Sequence, residues 1–489
     1  MKLILSTHNV TLTKAIEDHI ITRINKFDHL DRFAIDARVT LEHDHRKAPE
    51  KQFSCSMRLA VPGPDLFAED CERDLYAAID LVTKKIEQQI RKRHNKYKAR
   101  KHIEAVGRWK DLRSRGVGPV VHLDGSILMP GLVNAHCHLD YTDMAGEIAP
   151  TKRFTDWIKT ITMTKAGRIY ADFAQSWVRG AQMLLRTGTT TVADIEAVPE
   201  LLPEVWQATP LRVFSFLELT GVKSRREPER ILHEAIEKIE SLPTRGAAGL
   251  SPHAPYSTAP GLLRLSAATA REKGWRLVTH VAESDSEFEM FLHARGEMFD
   301  WLKRNERDMA DCGLGSPVQH LERNGCLSDN LLAVHANYLA PGDAALLGRR
   351  SVSVVHCPRS HSFFQHRRFP REELARARVN ICLGTDSLAS VTKVRGQAPE
   401  LNLFAEMQAF AASHPDVPSE VILQMSTVRG ARALGLQGKI GELSENAWAD
   451  MIAVPYTGKL TEAYDAVVHR EGDVSASMID GVWAMTPAA

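Results

Sequence analysis

The amino-acid sequence predicts an α/β protein: a (β/α)8 TIM barrel with a partial β-sandwich, preceded by a small α+β domain of order βαβββα. Three observations predict it. Short apolar, β-branched runs recur eight times between residues 132 and 384, separated by helix-like stretches. The first hundred residues instead alternate apolar and polar side chains with period two, flanked by two helical stripes. The chain has 489 residues, 44% hydrophobic and 25% charged, which is apolar material for more than one core and excludes a disordered or low-complexity protein.

In the small domain, Lys2 to Ser6 reads as a first strand, and Thr13 caps a helix whose apolar stripe is Ile16, Ile20, Ile24 and Phe27. Ile35, Ala37, Val39 and Leu41 alternate with Asp36, Arg38, Thr40 and Glu42, and Phe53, Cys55, Met57, Leu59 and Val61 repeat the pattern. The polar connection His43 to Glu50 makes these two runs an antiparallel hairpin. Leu66 to Ala68 is a short fourth strand, and Leu75, Ile79, Val82, Ile86 and Ile90 mark a long second helix. Its C-terminal half is basic, with Lys84, Lys85, Arg91, Lys92 and Lys98; Lys84, Arg91 and Lys98 recur every seven residues, opposite the apolar stripe. Such a run is either a solvated helix face or a contact for a phosphate backbone, and composition does not choose.

The overall charge of +1 excludes a uniformly basic nucleic-acid binder, yet it hides +5 on residues 1–102 and −4 on the remainder. The two parts are expected to meet different partners. Seven scattered cysteines without a C-x-x-C pair read as reduced thiols of a cytoplasmic protein. No apolar run approaches the ~18 residues that span a bilayer, so no membrane partner is expected.

The barrel strands are expected at Leu132 to His136, Thr189 to Ile195, Arg212 to Leu219, Ala247 to Ser251, Arg276 to His280, Leu331 to His335, Val352 to His356 and Val379 to Gly384. A doubly wound open sheet has the same rhythm. The barrel is favoured because six of the eight runs finish at or just before a polar or titratable residue, where barrels carry their chemistry. His136 and His138, two apart, share one face of an extended strand, with Cys137 facing away. With His280 and Asp386 they make three imidazoles and one carboxylate, a set that suits one divalent ion, Zn2+ or Fe2+, with a position left for water. Glu283 can serve that water as acid and base, or simply cap the helix beginning near Ser284. His335 can orient the water, and His253 in "SPHAPYS" can hydrogen-bond a substrate; either alone is equally readable as a satisfied core histidine.

Two resemblances sharpen these readings. Residues 1–102, with "LFAEDCERDLYAAIDLVTKKIEQQIRK" and its basic tail, resemble the ribosome hibernation-promoting factor family. That resemblance implies binding to ribosomal RNA of the small subunit, with Lys84, Lys85, Arg91, Lys92 and Lys98 on phosphates. Residues 103–489, through "LMPGLVNAHCHLD", "GLSPHAPYS", "VTHVAES", "VVHCPRS" and "CLGTDSLAS", resemble the deaminase and chlorohydrolase branch of the amidohydrolase superfamily. It implies His136, His138, His280 and Asp386 as metal ligands, Glu283 as proton shuttle, and His335 and His253 beside the reacting centre. The missing lysine in "GLSPHAPYS" implies a single metal ion. The reaction implied is hydrolytic deamination of an aminopurine nucleoside, with chloride displacement from the same carbon as an alternative.

The segment "HCPRSHSFFQHRRFP" departs from the branch's usual "HCPxSN" and is similar to aminodeoxyfutalosine deaminases of menaquinone synthesis, whose substrate bears a benzoate. Arg359 is expected to pair with that carboxylate. S-adenosylhomocysteine, methylthioadenosine or guanine as substrate, a hibernation factor with an inactive barrel, and an accidental join of two unrelated halves remain open, as does a homodimer. Domains are expected at 1–102, at 103–129 with 440–489 for the sandwich remnant, and at 130–439 for the barrel. Strands of the remnant are expected in "WADMIAVPY", "AVVHR" and "SASMIDGVWAM", with an open sheet edge because the N-terminal contribution is short.

Overall fold

The computed structural model describes every residue except 1, 31–35, 61–64, 101, 115–119, 223–226, 243–246, 394–397 and 488–489, and it leaves aside the side chains of 2, 26, 28–30 and 91–100. The chain divides into two compact units, residues 1–101 and 102–489.

The first unit runs β1 (Lys2–His8), α1 (Lys14–Leu30), β2 (Asp36–His43), β3 (Phe53–Ala60), β4 (Leu66–Glu72) and α2 (Leu75–Arg100), the expected βαβββα. β1 and β2 are parallel, as the crossover through α1 requires, and β2, β3 and β4 are antiparallel neighbours. The period-two pattern puts Ala37, Val39, Leu41, Cys55, Met57 and Leu59 on one face, where the stripes of both helices cover them; Ile35 and Val61 of the same pattern lie outside the described residues. Thr13 Oγ1 accepts the amide of Ile16 at 3.4 Å, at the start of α1. β4 is longer than the sequence suggested, because it pairs with β3 along its whole length, from Leu66 opposite Leu59 to Glu72 opposite Phe53. Of the basic residues of α2, Lys84 is exposed. Lys85 is turned back onto β4, donating to the Glu69 carbonyl at 3.1 Å and pairing with Asp70 at 2.9 Å. Arg91, Lys92 and Lys98 have side chains outside the described residues.

In the second unit eight parallel strands follow the predicted runs almost residue for residue: β6 (Leu132–Cys137), β7 (Thr189–Glu196), β8 (Arg212–Leu219), β9 (Ala247–Pro252), β10 (Leu277–Val281), β11 (Leu331–His335), β12 (Ser353–His356) and β13 (Asn380–Leu383), after β5 (Ser126–Pro130). They form one sheet in sequence order, and a parallel bridge between Cys137 and Asp386 draws its two ends together into a barrel. Inside, Val133, Ala193, Phe216, Val278, Leu332 and Val355 fill the interior.

Beside the barrel, β5 joins β14 (Met451–Pro455), β15 (Ala476–Ile479) and β16 (Val482–Met485) in a four-stranded antiparallel sheet. The chain segments flanking the barrel therefore meet as expected. What they form, among the described residues, is one sheet layer: Met129, Ile452, Val454 and Ile479 pack into the large barrel core. Both edges carry exposed apolar side chains, Leu128 on β5 and Val482 on β16. "AVVHR" is no strand but part of a helix, Ala463–Val468, since burial of the adjacent pair Val467 and Val468 fits a helix and contradicts alternation. No helix among the described residues is long and apolar enough to cross a membrane.

Candidate metal and catalytic site

Every candidate of the barrel except Arg359 arrives where a strand ends. His136 lies in β6 and His138 just past it; His253 follows β9, His280 is in β10, Glu283 follows β10, His335 closes β11 and Asp386 follows β13. The metal-binding atoms of His136, His138 and His280 lie within 4.8 Å of one another, and so do those of Glu283, His335 and Asp386. The two trios touch: Asp386 Oδ1 is 3.7 Å from Nε2 of both His136 and His138. His335 Nε2 stands 3.5 Å from Glu283 Oε1. Backbone strain marks the same rim, for Ala282, His335, Ala336 and Asp386 all adopt positive φ, between 48° and 75°, without being glycine.

The donor set fits a cation on two observations. Both ring nitrogens of His136 and Nδ1 of His138 are buried with no hydrogen-bond partner, a loss that a metal ligand recovers. His280 Nδ1 lies 2.7 Å from the carbonyl oxygen of His253; that nitrogen donates, so the lone pair of Nε2 is free for a metal. Burial, reinforced by neighbouring imidazoles, holds His280 well below the ordinary histidine value, and burial above all lowers His138 and His335 to about 3. These imidazoles are neutral, as ligation requires. Burial opposes ionisation of Asp386, yet the surrounding imidazoles, His136 first among them, keep it well below the usual carboxylate range. Burial, then the Asp386 and Glu287 carboxylates, push Glu283 well above its ordinary value. The site thus favours the charged form of one carboxylate and the protonated form of its neighbour, an acid and base arrangement.

Supporting residues escaped the sequence reading. Glu287 accepts the backbone amide of Glu283 at 2.9 Å, Asn337 donates to the Glu283 carbonyl at 3.0 Å, and Ser390 Oγ donates to Asp386 Oδ2 at 3.0 Å. Glu287 carried a signal: Ser284 caps the helix Asp285–His293 and accepts the amide of Glu287, three residues on. His253 Nδ1 is 2.6 Å from Ser257 Oγ. Cys137 is buried in the outer core and does not face the cavity.

Above the trios opens a cavity of about 500 Å³ with His253, His280, Glu283, His335 and Asp386 at its base and Trp157, Ile161, Trp301 and Leu302 in its walls. Arg359, expected to meet a substrate carboxylate, is not among its lining residues. Its guanidinium is 2.5 Å from Glu406 Oε1 and also donates to the Glu400 carbonyl at 2.9 Å. The helix Leu403–Ser413 delivers Glu406 fully buried, and a buried carboxylate without a cation is strongly unfavourable, so Arg359 is consumed there. A second cavity, about 460 Å³, opens beside the start of β13, the opposite end of the strand from Asp386.

An eight-stranded barrel whose strand ends gather imidazoles and carboxylates around one point, under a closed-in cavity, belongs to the class of metal-dependent barrel hydrolases. Comparison with known proteins gives the family: the profile of the amidohydrolase family matches residues 127–484, and the chain belongs to that family. That membership makes it a hydrolase acting on C–N bonds. Residues 3–98 match a second family, sigma 54 modulation protein / S30EA ribosomal protein. Among curated relatives, the 5-methylthioadenosine/S-adenosylhomocysteine deaminase of Syntrophobacter fumaroxidans is 31% identical over 380 residues, covering 73% of this chain and 80% of that one. The 5'-deoxyadenosine deaminase of Methanoregula boonei is 29% identical, covering 68% and 71%. Among solved structures, a zinc-bound adenosine deaminase of Xanthomonas campestris superposes with a TM-score of 0.68 at 24% identity, covering 78% of this chain and 86% of that one. Helicobacter pylori aminofutalosine deaminase, in complex with methylthio-coformycin, gives 0.68 at 22%, covering 78% and 93%.

Proposed function

We propose that the chain is a metal-dependent hydrolytic deaminase of a 6-aminopurine nucleoside, joined to a ribosome-binding module. The observation that carries this reading is the meeting of His138, His280, Asp386, Glu283 and His335 at the base of one cavity, with His136 beside His138 and His280. The deaminase names of the sequence relatives support the reaction, and the zinc of the Xanthomonas protein supports Zn2+ over Fe2+.

His136, His138, His280 and Asp386 would hold the ion, which, when bound, supplies a water acidic enough to attack at neutral pH. Asp386, ionised, accepts a proton from the attacking water. Glu283 delivers a proton to the ring nitrogen beside the reacting carbon, and its backbone is pinned for that task by Glu287 and Asn337. His335, beside Glu283, orients the water, and His253 offers its free ring nitrogen to the purine. Asp386 then passes its proton to the amino group, which leaves as ammonia, while the hydroxyl left on the same carbon returns a proton to Glu283 and becomes the carbonyl of the product. For the substrate we take a nucleoside with a carboxylated tail, 6-amino-6-deoxyfutalosine, which would place the enzyme in menaquinone synthesis. The segment from His356 to Pro370 and the likeness to the aminofutalosine deaminase fold support that choice.

The test is metal analysis of the purified full chain, with ammonia release followed for aminodeoxyfutalosine, methylthioadenosine, S-adenosylhomocysteine, adenosine and guanine. About one equivalent of metal and release from at least one aminopurine nucleoside, abolished in Glu283→Ala, are expected. Metal-loaded protein that releases no ammonia from any of them would overturn the reading. For residues 1–101, the expected result is co-sedimentation with the small ribosomal subunit that weakens as salt rises, because Lys and Arg contacts to RNA phosphates release counterions.

A further inference from the structure

The base of the cavity performs the chemistry; its wall reports on the remainder of the substrate. One face of the helix Phe154–Ala166 runs along that wall, presenting Trp157, Ile158, Ile161, Thr162 and Lys165 to the cavity at helical spacing. Its first end is aromatic: Trp157 packs on Phe154 with ring centres 5.8 Å apart and meets Phe364 edge-on at 5.1 Å. Its other end, about 12 Å along the helix axis, is Lys165.

Lys165 is the sole lysine or arginine among the described residues lining the cavity. No described carboxylate lies within salt-bridge distance of its ammonium, which instead donates to the phenol oxygen of Tyr141 and sits 4.6 Å from the centre of that ring. Tyr141 is itself buried and stacks on His138, with centroids 5.3 Å apart. The ammonium is therefore held at a defined place in the cavity by a neutral partner, and the carboxylates of Asp140 and Glu218 act on it only from beyond salt-bridge distance. Closing a ligand over such a group removes its water, and an anion on the ligand offsets that loss by making the direct ion pair the protein does not. Glu218 lines the same cavity and makes no side-chain hydrogen bond among the described residues, so a tail bearing an ammonium beside its carboxylate also finds a partner.

Resting on the deaminase reading above, we propose that Lys165 is the specificity-determining residue that binds a carboxylate on the substrate's tail, so that the enzyme prefers carboxylated 6-aminonucleosides over uncharged ones. Arg359, sequestered by Glu406, leaves this task to Lys165. The shared chemistry is the carboxylate; a benzoate tail and an amino-acid tail are its two sources, and they differ at Glu218.

The experiment measures kcat/KM, and Kd by calorimetry, for a benzoate-bearing aminonucleoside, S-adenosylhomocysteine and methylthioadenosine, on the full metal-loaded chain and on Lys165→Met, Lys165→Arg and Glu218→Gln. Lys165→Met should lower the ratio of carboxylated to uncharged substrate by about tenfold or more, through KM and Kd, as expected for loss of a charge-assisted hydrogen bond. Lys165→Arg should keep most of the ratio. Glu218→Gln should weaken the amino-acid tail alone. A ratio unchanged in Lys165→Met while the substrates are still turned over overturns the assignment and leaves the deaminase reading standing. Selective binding that Lys165→Met abolishes, with no turnover of any nucleoside, supports the assignment and removes that reading. A fall in melting temperature with the ratio unchanged would mark Lys165 as structural and overturn the assignment as well.

Discussion

Among the described residues, the first unit buries two polar side chains, Ser54 and Thr83, in a core otherwise made of aliphatic, aromatic and sulfur groups. The barrel unit buries His136, His138, Asp140, Asp194, Glu196, His280, Glu283, His335, Asp386 and Glu406. A fold pays heavily to desolvate charge, so titratable groups are gathered inside where their altered protonation performs work and kept outside where they meet a partner's charge. The second unit thus carries an enzyme's chemistry within, and the first, on the proposed reading as a ribosome-binding module, keeps its charges on the surface.

The contrast can be broken from the inside outward. The largest effect belongs to Glu283→Gln, which should lower kcat by about a thousandfold while metal content by elemental analysis stays unchanged. Retained turnover would take Glu283 out of the proton path. Next comes Arg359→Ala, which strands Glu406: about 3–5 kcal/mol of stability should be lost in chemical denaturation, with KM for a carboxylated nucleoside unaltered. A raised KM with normal stability would return Arg359 to the substrate. For the surface of the first unit, Lys84→Ala should weaken ribosome co-sedimentation by less than about tenfold and reduce the salt slope by about one, a step that a merely solvated lysine would not give.

The smallest effect tests the outside rule on stability. Asp80 on α2 pairs with Arg23 of α1 at 2.7 and 2.9 Å and with His19 at 2.8 Å. Hydrogen bonding from Arg23, working against some burial, lowers its pKa below the ordinary 3.8. A folded-state value below the unfolded one means that the carboxylate stabilises the fold above pH 3.8 and ceases to do so as the pH falls through the folded value. Because Asp80 is 43% exposed, water screens the pair. Asp80→Asn should destabilise the unit by less than about 1 kcal/mol at pH 7 and by progressively less as the pH falls below the ordinary 3.8, as followed by thermal melts.

How much of this was legible follows the same division. The eight barrel strands could be read because parallel strands covered on both faces leave unbroken β-branched runs, and the candidate ligands because each closes or follows such a run. The βαβββα unit could be read from alternation. Tertiary pairing was not legible: β4 is seven residues long because β3 offers it a full-length partner, and "AVVHR" is too short for its period to be told from a helical turn. The fate of Arg359 depended on Glu406, 47 residues away in sequence, and no local pattern announces such a pair. Lys165 was hidden for a related reason, since nothing in the helix Phe154–Ala166 taken alone says which of its faces closes a cavity.

The central claim is that three imidazoles and one carboxylate hold a single ion. X-ray absorption at the metal edge of the purified full chain tests it most directly. The spectrum should give a shell of nitrogen and oxygen donors at about 2.0–2.2 Å, with three imidazoles in the outer scattering, and lose that signature in His136→Ala. A sulfur shell at about 2.3 Å, or an edge signal indifferent to His136, would contradict the account.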